Sequence, residues 1–134
     1  MLAPTTVIDN EYASLWVYES QGIIHHQFKK FISGENFRSV LSTGLKELTT
    51  RRAKKWLSDD RSNGALKPED EEWAQGVWFP KTVAAGWKYW AIIPPEKVVG
   101  KMNIQRFIQT FAKAGITAQV FPDPTDALKW LVEQ

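Results

Sequence analysis

Cysteine is absent from this chain of 134 residues. Without thiols the protein has no disulfide, no thiolate metal site, no cysteine nucleophile and no redox dithiol. Long apolar runs are also lacking, since the longest buried-looking run, residues 89–93, is far too short to cross a bilayer. The first residues show neither the basic start nor the apolar stretch of a secretory signal. We therefore expect a cytoplasmic protein with no membrane span.

The motifs of the common enzyme classes are missing as well. The sequence has no Gly-x-Gly-x-x-Gly, no Gly-x-x-x-x-Gly-Lys, no Gly-x-Ser-x-Gly and no His-Glu-x-x-His. Its two histidines, His25 and His26, are adjacent in a predicted strand, where successive side chains point to opposite faces. They therefore cannot bind one metal ion together, and we expect no catalytic residues, no metal and no cofactor.

The composition is that of an ordinary globular domain. Hydrophobic residues make up 43% of the chain and charged residues 24%, and the length fits one domain over residues 1–134. The 17 Lys and Arg residues against 15 Asp and Glu leave a net charge of only +2. Nucleic-acid-binding domains concentrate more positive charge on one face, so we expect no nucleic-acid partner.

Two segments near the N-terminus, residues 12–18 and 23–28, have the β-branched and aromatic composition of strands. The short loop between them ends in Gly22, as hairpin connections often do, so we expect the two strands to be antiparallel neighbours. A weaker strand precedes them at residues 6–9. Three further short strands are predicted at 54–58, 88–93 and 117–121.

Helical periodicity begins after Ser33, the predicted N-cap of a helix whose apolar face includes Phe37, Val40, Leu41 and Leu48. These positions follow the i, i+3, i+4, i+7 spacing of one helix face. The helix separates the N-terminal strands from the strand at 54–58.

Three more helices follow. The second begins at Pro68 with an acidic first turn, residues 69–72, that faces the positive end of the helix dipole. Pro80 should kink or restart it, and the last two helices begin at the caps Asn103 and Asp123. The order ββαβαβαβα predicts an α/β domain with a mixed sheet, in which an N-terminal antiparallel hairpin leads into parallel strands.

Polar side chains follow the predicted strand at 54–58, namely Asp59, Asp60, Arg61 and Ser62. In open α/β sheets the carboxyl ends of the parallel strands meet ligands and partners, so these four residues form a candidate partner or ligand loop. The structural alternative is a solvated turn in which Arg61 pairs with a neighbouring carboxylate.

Seven tryptophans are the least ordinary feature of the chain. Trp73, Trp78, Phe79 and Trp87 lie in or just after the acidic helix and are too many to bury on one face of a short element. They form a candidate patch for an apolar small molecule or for a second subunit of a homodimer. Packing of these rings against the sheet and each other is the alternative interpretation.

The element order, with a polar turn after the strand that follows the first helix, resembles the STAS fold of anti-sigma-factor antagonists. Residues 55–61, 68–73 and 85–92 are more closely similar to the SpoIIAA-like family of small bacterial proteins, sometimes grouped with CRAL-TRIO-type lipid-binding domains. The resemblance covers residues 12–132 and implies a regulatory or interaction module with no catalytic signature.

The resemblance also implies a phosphorylation site. In STAS antagonists a serine in an Asp-Ser-Ser-Gly turn is phosphorylated, and the added negative charge disrupts docking to the partner. The corresponding turn here reads Asp60-Arg61-Ser62-Asn63-Gly64, with Arg61 where the pattern has a small residue. Ser62 is therefore the phosphosite that the resemblance implies.

These observations leave three hypotheses about function. The first is a non-enzymatic module that uses residues 59–64 to contact another protein or a second copy of itself. The second is binding of a lipid or other small apolar molecule between the helices and the sheet. The third is hydrolytic or transferase chemistry with Asp59, Asp60 and a histidine, which requires one histidine to approach the turn.

Overall fold

One six-stranded mixed sheet organises the protein, for which a computed structural model describes residues 3–134. The strands lie side by side in chain order, with β1 to β3 antiparallel and β3 to β6 parallel. The predicted α/β class, with an antiparallel hairpin leading into parallel strands, is confirmed. The strands are β1 (Thr5–Asp9), β2 (Ala13–Tyr18), β3 (Ile23–Phe28), β4 (Lys55–Asp59), β5 (Tyr89–Ile93) and β6 (Thr117–Val120).

Six helices are present in the part of the chain that the structure describes. One of them, the short α4, was not predicted from the sequence, because four residues are too few to show a helical period. The helices are α1 (Gly34–Arg51), α2 (Pro68–Trp73), α3 (Phe79–Ala84), α4 (Glu96–Val99), α5 (Ile104–Ala112) and α6 (Pro124–Val132).

A π-helical turn, Ala74–Trp78, joins α2 to α3. Pro80 explains the wider turn, because it has no N–H to donate to the carbonyl of Gly76 four residues earlier. The N–H of Phe79 bonds instead to the carbonyl of Ala74, five residues back. The predicted restart at Pro80 is confirmed as a local change of helical pitch.

The two faces of the sheet are covered differently. Each parallel crossover moves the chain by one strand in the same direction, and crossovers share one hand, so their helices lie on one face. We call this the crossover face; Ile24 and Trp56 point into its core. The opposite face, here the α6 face, carries Ile23 and Leu57 and is packed by α6.

The core of the crossover face is rich in aromatic rings. Trp56 is fully buried at its centre, and its ring lies 5.1 Å from that of Trp78 and 6.0 Å from that of Trp87. Gly44 of α1 passes directly over Trp56, where there is no room for a Cβ. Helix α1 therefore packs closely on the sheet at this point.

The first helix is capped by a residue distant in sequence. Ser33 occupies the N-cap position, but its side chain makes no capping hydrogen bond. The backbone N–H of Gly34 donates instead to the carboxylate of Asp70, at 2.9 Å, and Asp70 is buried beside Arg38. The predicted N-cap position of Ser33 is confirmed, but the capping hydrogen bond comes from a member of the acidic turn of α2. The predicted caps Asn103 and Asp123 do accept hydrogen bonds from their own helices.

Candidate functional site

A cavity of about 700 Å³ lies on the crossover face, between the carboxyl ends of β3 to β5, the turn that joins α2 to α3, and helices α4 and α5. This volume is in the range of pockets that hold small molecules. Most of its lining residues are apolar: Phe28, Phe37, Leu41, Ala65, Leu66, Ala74, Trp78, Phe79, Trp90, Ile92, Pro94, Pro95, Val98, Met102, Phe107 and Phe111.

Aromatic contacts hold one wall of the cavity in place. The rings of Phe107 and Phe111, one helical turn apart on α5, have centroids 4.8 Å apart. Phe111 packs edge-on against Trp90 of β5 at 4.9 Å and also contacts Phe79 of α3 at 5.4 Å. Such offset and edge-on pairs stabilise each other beyond their buried area, so this wall is preformed.

The polar end of the cavity lies where the parallel strands end. His26 of β3 and Ser58 of β4 are paired in register and point to the crossover face. Asp60 and Asn63 follow β4 and complete this group. The main chain of Asp60 is held by a hydrogen bond from its N–H to the carbonyl of Ile93, at 2.9 Å.

His26 links the core of the protein to this polar end. The indole N–H of Trp56 donates to Nδ1 of His26 at 2.9 Å, and Nε2 of His26 lies 2.8 Å from Oδ1 of Asp60. Because Nδ1 accepts a hydrogen bond, the proton of the imidazole belongs on Nε2, which donates to Asp60. The chain Trp56–His26–Asp60 therefore fixes the position of the Asp60 carboxylate.

The hydroxyl group of Ser58 is also engaged in a hydrogen bond within the protein. Its hydroxyl oxygen accepts a hydrogen bond of 2.9 Å from the indole N–H of Trp90. A nucleophilic serine needs a basic nitrogen beside its hydroxyl, but both nitrogens of His26 are already bonded, to Trp56 and Asp60. Ser58, His26 and Asp60 thus share one end of the cavity without forming a catalytic relay.

Asn63 lines the cavity and has an unpaired, buried acceptor in its side chain. The residue is 5% exposed, and Oδ1 is buried with no hydrogen-bond partner among the described residues. An unsatisfied buried acceptor destabilises a fold by about 1–3 kcal/mol, and such groups are rare in native proteins. A ligand that donates a hydrogen bond would satisfy it.

The four residues of the candidate loop do not form one surface. Asp59 is buried and points to the α6 face, where it holds Arg61 through two hydrogen bonds of 2.9 and 2.7 Å that raise the pKa of the guanidinium. Asp60 faces the cavity on the opposite side. The ion pair between Arg61 and a neighbouring carboxylate, which was the structural alternative, is therefore present. Ser62 is exposed, so of the four residues only Arg61 and Ser62 are open to a macromolecular partner.

The structure also separates the members of the aromatic patch. Trp78 and Phe79 line the cavity, whereas Trp87 is 1% exposed and packs behind them. Trp73 lies in a separate shallow groove with Val77. The predicted cluster is therefore two cavity residues, one fully buried core residue and one half-buried residue, Trp73, that also packs on Phe37.

The sequence analysis does not predict the contact between His26 and Asp60. The alternation of side chains in β3 and β4 places His26 and Ser58 on the same face, which was the available signal. The lining residues from α4 and α5, including Val98 and Met102, carried no signal because their approach depends on tertiary packing. In residues 3–134 no three His, Asp or Glu side chains come together as a metal site.

Comparison with known proteins identifies no relative of this chain. No protein-family model, no curated protein and no solved structure matches the chain. None of the described helices is long and apolar enough to span a membrane. Function is therefore inferred from the cavity itself.

Proposed function

We propose that this protein binds a small, largely apolar molecule in the cavity on its crossover face. The observation that carries the proposal is the combination of ligand-sized volume, apolar walls and the buried, unpaired Oδ1 of Asn63. Ligand sites typically combine a mostly apolar lining with a few convergent polar groups that orient the ligand. This is the second of the hypotheses raised by the sequence.

The hydrogen bonds at the polar end favour binding over catalysis. Although His26 does approach the loop, as the hydrolytic hypothesis required, its two nitrogens are both bonded within the protein. General-base catalysis needs a nitrogen within reach of the proton that it removes. The group is instead arranged to hold Asp60 in place.

The π-helical turn supports the same conclusion. Ala74, Gln75 and Trp78, all from this turn, line the cavity. Such turns are frequent at functional sites, because the extra residue displaces the helix axis and opens space beside it. Pro80 favours that displacement, because it has no N–H to donate to the carbonyl of Gly76.

Filling the cavity tests the proposal. Thr110 is an exposed residue of α5 at the rim of the cavity, and Gln109 is its neighbour outside the lining. We expect N-phenyl-1-naphthylamine, a neutral probe that fluoresces in apolar sites, to bind the wild-type protein. Thr110→Phe should weaken binding about tenfold or more, because the added ring occupies ligand volume. Gln109→Phe should leave binding unchanged.

Two results would contradict the proposal. One is the absence of any saturable fluorescence increase with the wild-type protein. The other is equal probe affinity for Thr110→Phe and Gln109→Phe, since the probe would then bind outside the cavity. Circular dichroism of each variant establishes that both proteins are folded.

A protein-interaction module of the SpoIIAA-like or STAS type is the second proposal. It is supported by the antiparallel hairpin that leads into parallel strands, and by the exposed Arg61 and Ser62 at the end of β4. Phosphorylation of Ser62 would place a doubly charged group beside Arg61 on the surface. The intact mass of protein purified from its own cells tests this proposal, because a phosphate on Ser62 is its expected signature.

A further inference from the structure

The carboxylates are the only full charges among the described residues that line the cavity. Asp60 lies at the polar end and Glu71 lies at the rim, while the described lining contains no Lys and no Arg. A carboxylate or phosphate head group would therefore lose its water without gaining a cationic partner, and it would face Asp60 directly. An anionic amphiphile does not suit this cavity.

The polar end offers acceptors in fixed positions. Oδ1 of Asp60 is bonded to His26, and no described contact within the chain engages Oδ2. Asn63 belongs to the same lining, and its Oδ1, which is covered by protein atoms, has no hydrogen-bond partner among the described residues. Two acceptors, one of them charged, suit a group that carries several N–H donors and a positive charge.

We propose that the ligand is an amphiphilic amine, whose ammonium group binds Asp60 and Asn63 and whose apolar body lies among the aromatic rings. This inference rests on the proposed function and deepens it by naming the chemical class of the ligand. The rings of Trp78 and Trp90 suit both parts of such a molecule, because aromatic faces pack on apolar groups and also attract cations.

The arrangement is preformed, which strengthens the assignment. The Asp60 carboxylate is fixed by the hydrogen bond from His26, and His26 is in turn held by the fully buried Trp56. Little side-chain entropy would be lost when an amine binds a carboxylate that is already fixed. Oδ1 of Asn63, by contrast, has no described hydrogen-bond partner within the chain.

A series of ligands with the same chain length tests the head group. Decylamine, decanol and decanoate share one apolar chain and differ only at the polar end, and decylamine is protonated at neutral pH as lysine is. Each would compete with N-phenyl-1-naphthylamine for the wild-type protein. We expect decylamine to bind about tenfold or more tightly than the other two, as befits a hydrogen bond to a charged group.

Two variants locate the effect, with a third as control. Asp60→Asn keeps an acceptor for His26 but removes the negative charge, so decylamine should bind about tenfold more weakly while decanol is little affected. Glu72→Gln removes a negative charge from an exposed residue outside the cavity and should leave all affinities unchanged. Asn63→Leu should weaken decylamine binding while the naphthylamine probe still binds, because an apolar side chain replaces the buried acceptor.

Each remaining result overturns the inference or the proposed function separately. If decanoate or decanol binds as tightly as decylamine, or if Asp60→Asn and Glu72→Gln behave alike, the amine assignment is wrong while cavity binding stands. If the probe binds and no decyl compound displaces it, the same conclusion holds. If neither the probe nor any decyl compound binds, the proposed function itself fails.

Discussion

The two adjacent histidines show how one step along a strand changes the environment of a side chain. His26 faces the cavity and uses both ring nitrogens, whereas His25 is buried on the α6 face beside Trp16 and Tyr18. The hydroxyl of Tyr18 lies 3.0 Å from Nδ1 of His25, and Nε2 has no described partner. Burial, together with the nearby His26, lowers the pKa of His25 from 6.5 to about 3.

This difference predicts that the fold is less stable in acid. Below about pH 6.5 the unfolded chain binds a proton at His25, while the folded protein does not do so until about pH 3. The free energy of unfolding should therefore fall, by about 1.4 kcal/mol per pH unit in that range from this residue alone. His25→Gln, which keeps a hydrogen-bonding group beside Tyr18, removes this contribution.

Urea unfolding of both proteins at about pH 7 and about pH 5 measures the effect. The wild type should lose about 2 kcal/mol more than His25→Gln between these two conditions. An equal loss in both proteins would show that His25 titrates normally in the folded state.

The opposite orientation of the two histidines could be predicted at the residue scale, because side-chain alternation is a property of every strand. The hydrogen-bond partners of the side chains could not be predicted. Asp70 caps α1 and His26 binds Asp60, and both contacts join residues more than 30 positions apart. No local pattern in the sequence encodes such distances.

At the scale of elements, the contact between α1 and the sheet depends on one glycine. Gly44 lies in the middle of α1, where alanine would ordinarily favour the helix by about 1 kcal/mol. A Cβ at this position would overlap Cη2 of the buried Trp56 ring. The close approach of α1 and β4 therefore requires the absence of a side chain.

We expect Gly44→Ala to destabilise the protein by about 1–3 kcal/mol, as overpacking of a core usually does. Gly76→Ala is the matched control, because Gly76 is exposed in the π-helical turn and a Cβ there meets no atom within 4 Å. Thermal unfolding of both variants measures the difference. A Gly44→Ala variant as stable as Gly76→Ala would mean that α1 can move away from Trp56 without loss.

The elements themselves were largely predictable. Strand β3 was predicted with its observed bounds, and the caps Asn103 and Asp123 were recognised from their side chains alone. The exception was the cap of α1, because Ser33 has the favoured residue type while Asp70 supplies the hydrogen bond. Short-range signals identify a helix end but not a competing partner from elsewhere in the chain.

At the scale of the whole molecule, the sheet separates two hydrophobic cores, one on each face. The core of the crossover face leads into the cavity, and the core of the α6 face is formed with Ala127 and Leu131 of α6. The sequence predicted the sheet and its helices but not this division. The division follows from the common hand of the crossovers, and the cavity depends on how α4 and α5 close over the sheet.

The separation predicts that stability and binding can be changed independently. Leu131→Ala should cost about 2–5 kcal/mol, because this side chain is fully buried, while Val132→Ala at an exposed position should cost little. At temperatures where Leu131→Ala is still folded, both variants should bind N-phenyl-1-naphthylamine as the wild type does. Loss of probe binding in folded Leu131→Ala would show that the two cores are coupled through the sheet.

The order of the strands has a consequence for how the chain acquires its structure. Every strand pairs with the strand that precedes or follows it in the sequence, so no pairing has to wait for a segment made much later. The hairpins of β1 to β3 pair residues close in sequence, whereas the parallel pairings join distant residues, such as Ile24 with Trp56, and pairings of the second kind form more slowly. The sheet can grow at a single edge, from β1 to β6, and α6, which follows β6 in the chain, covers the α6 face. The helix that closes the second core therefore packs on strands that all precede it in the sequence.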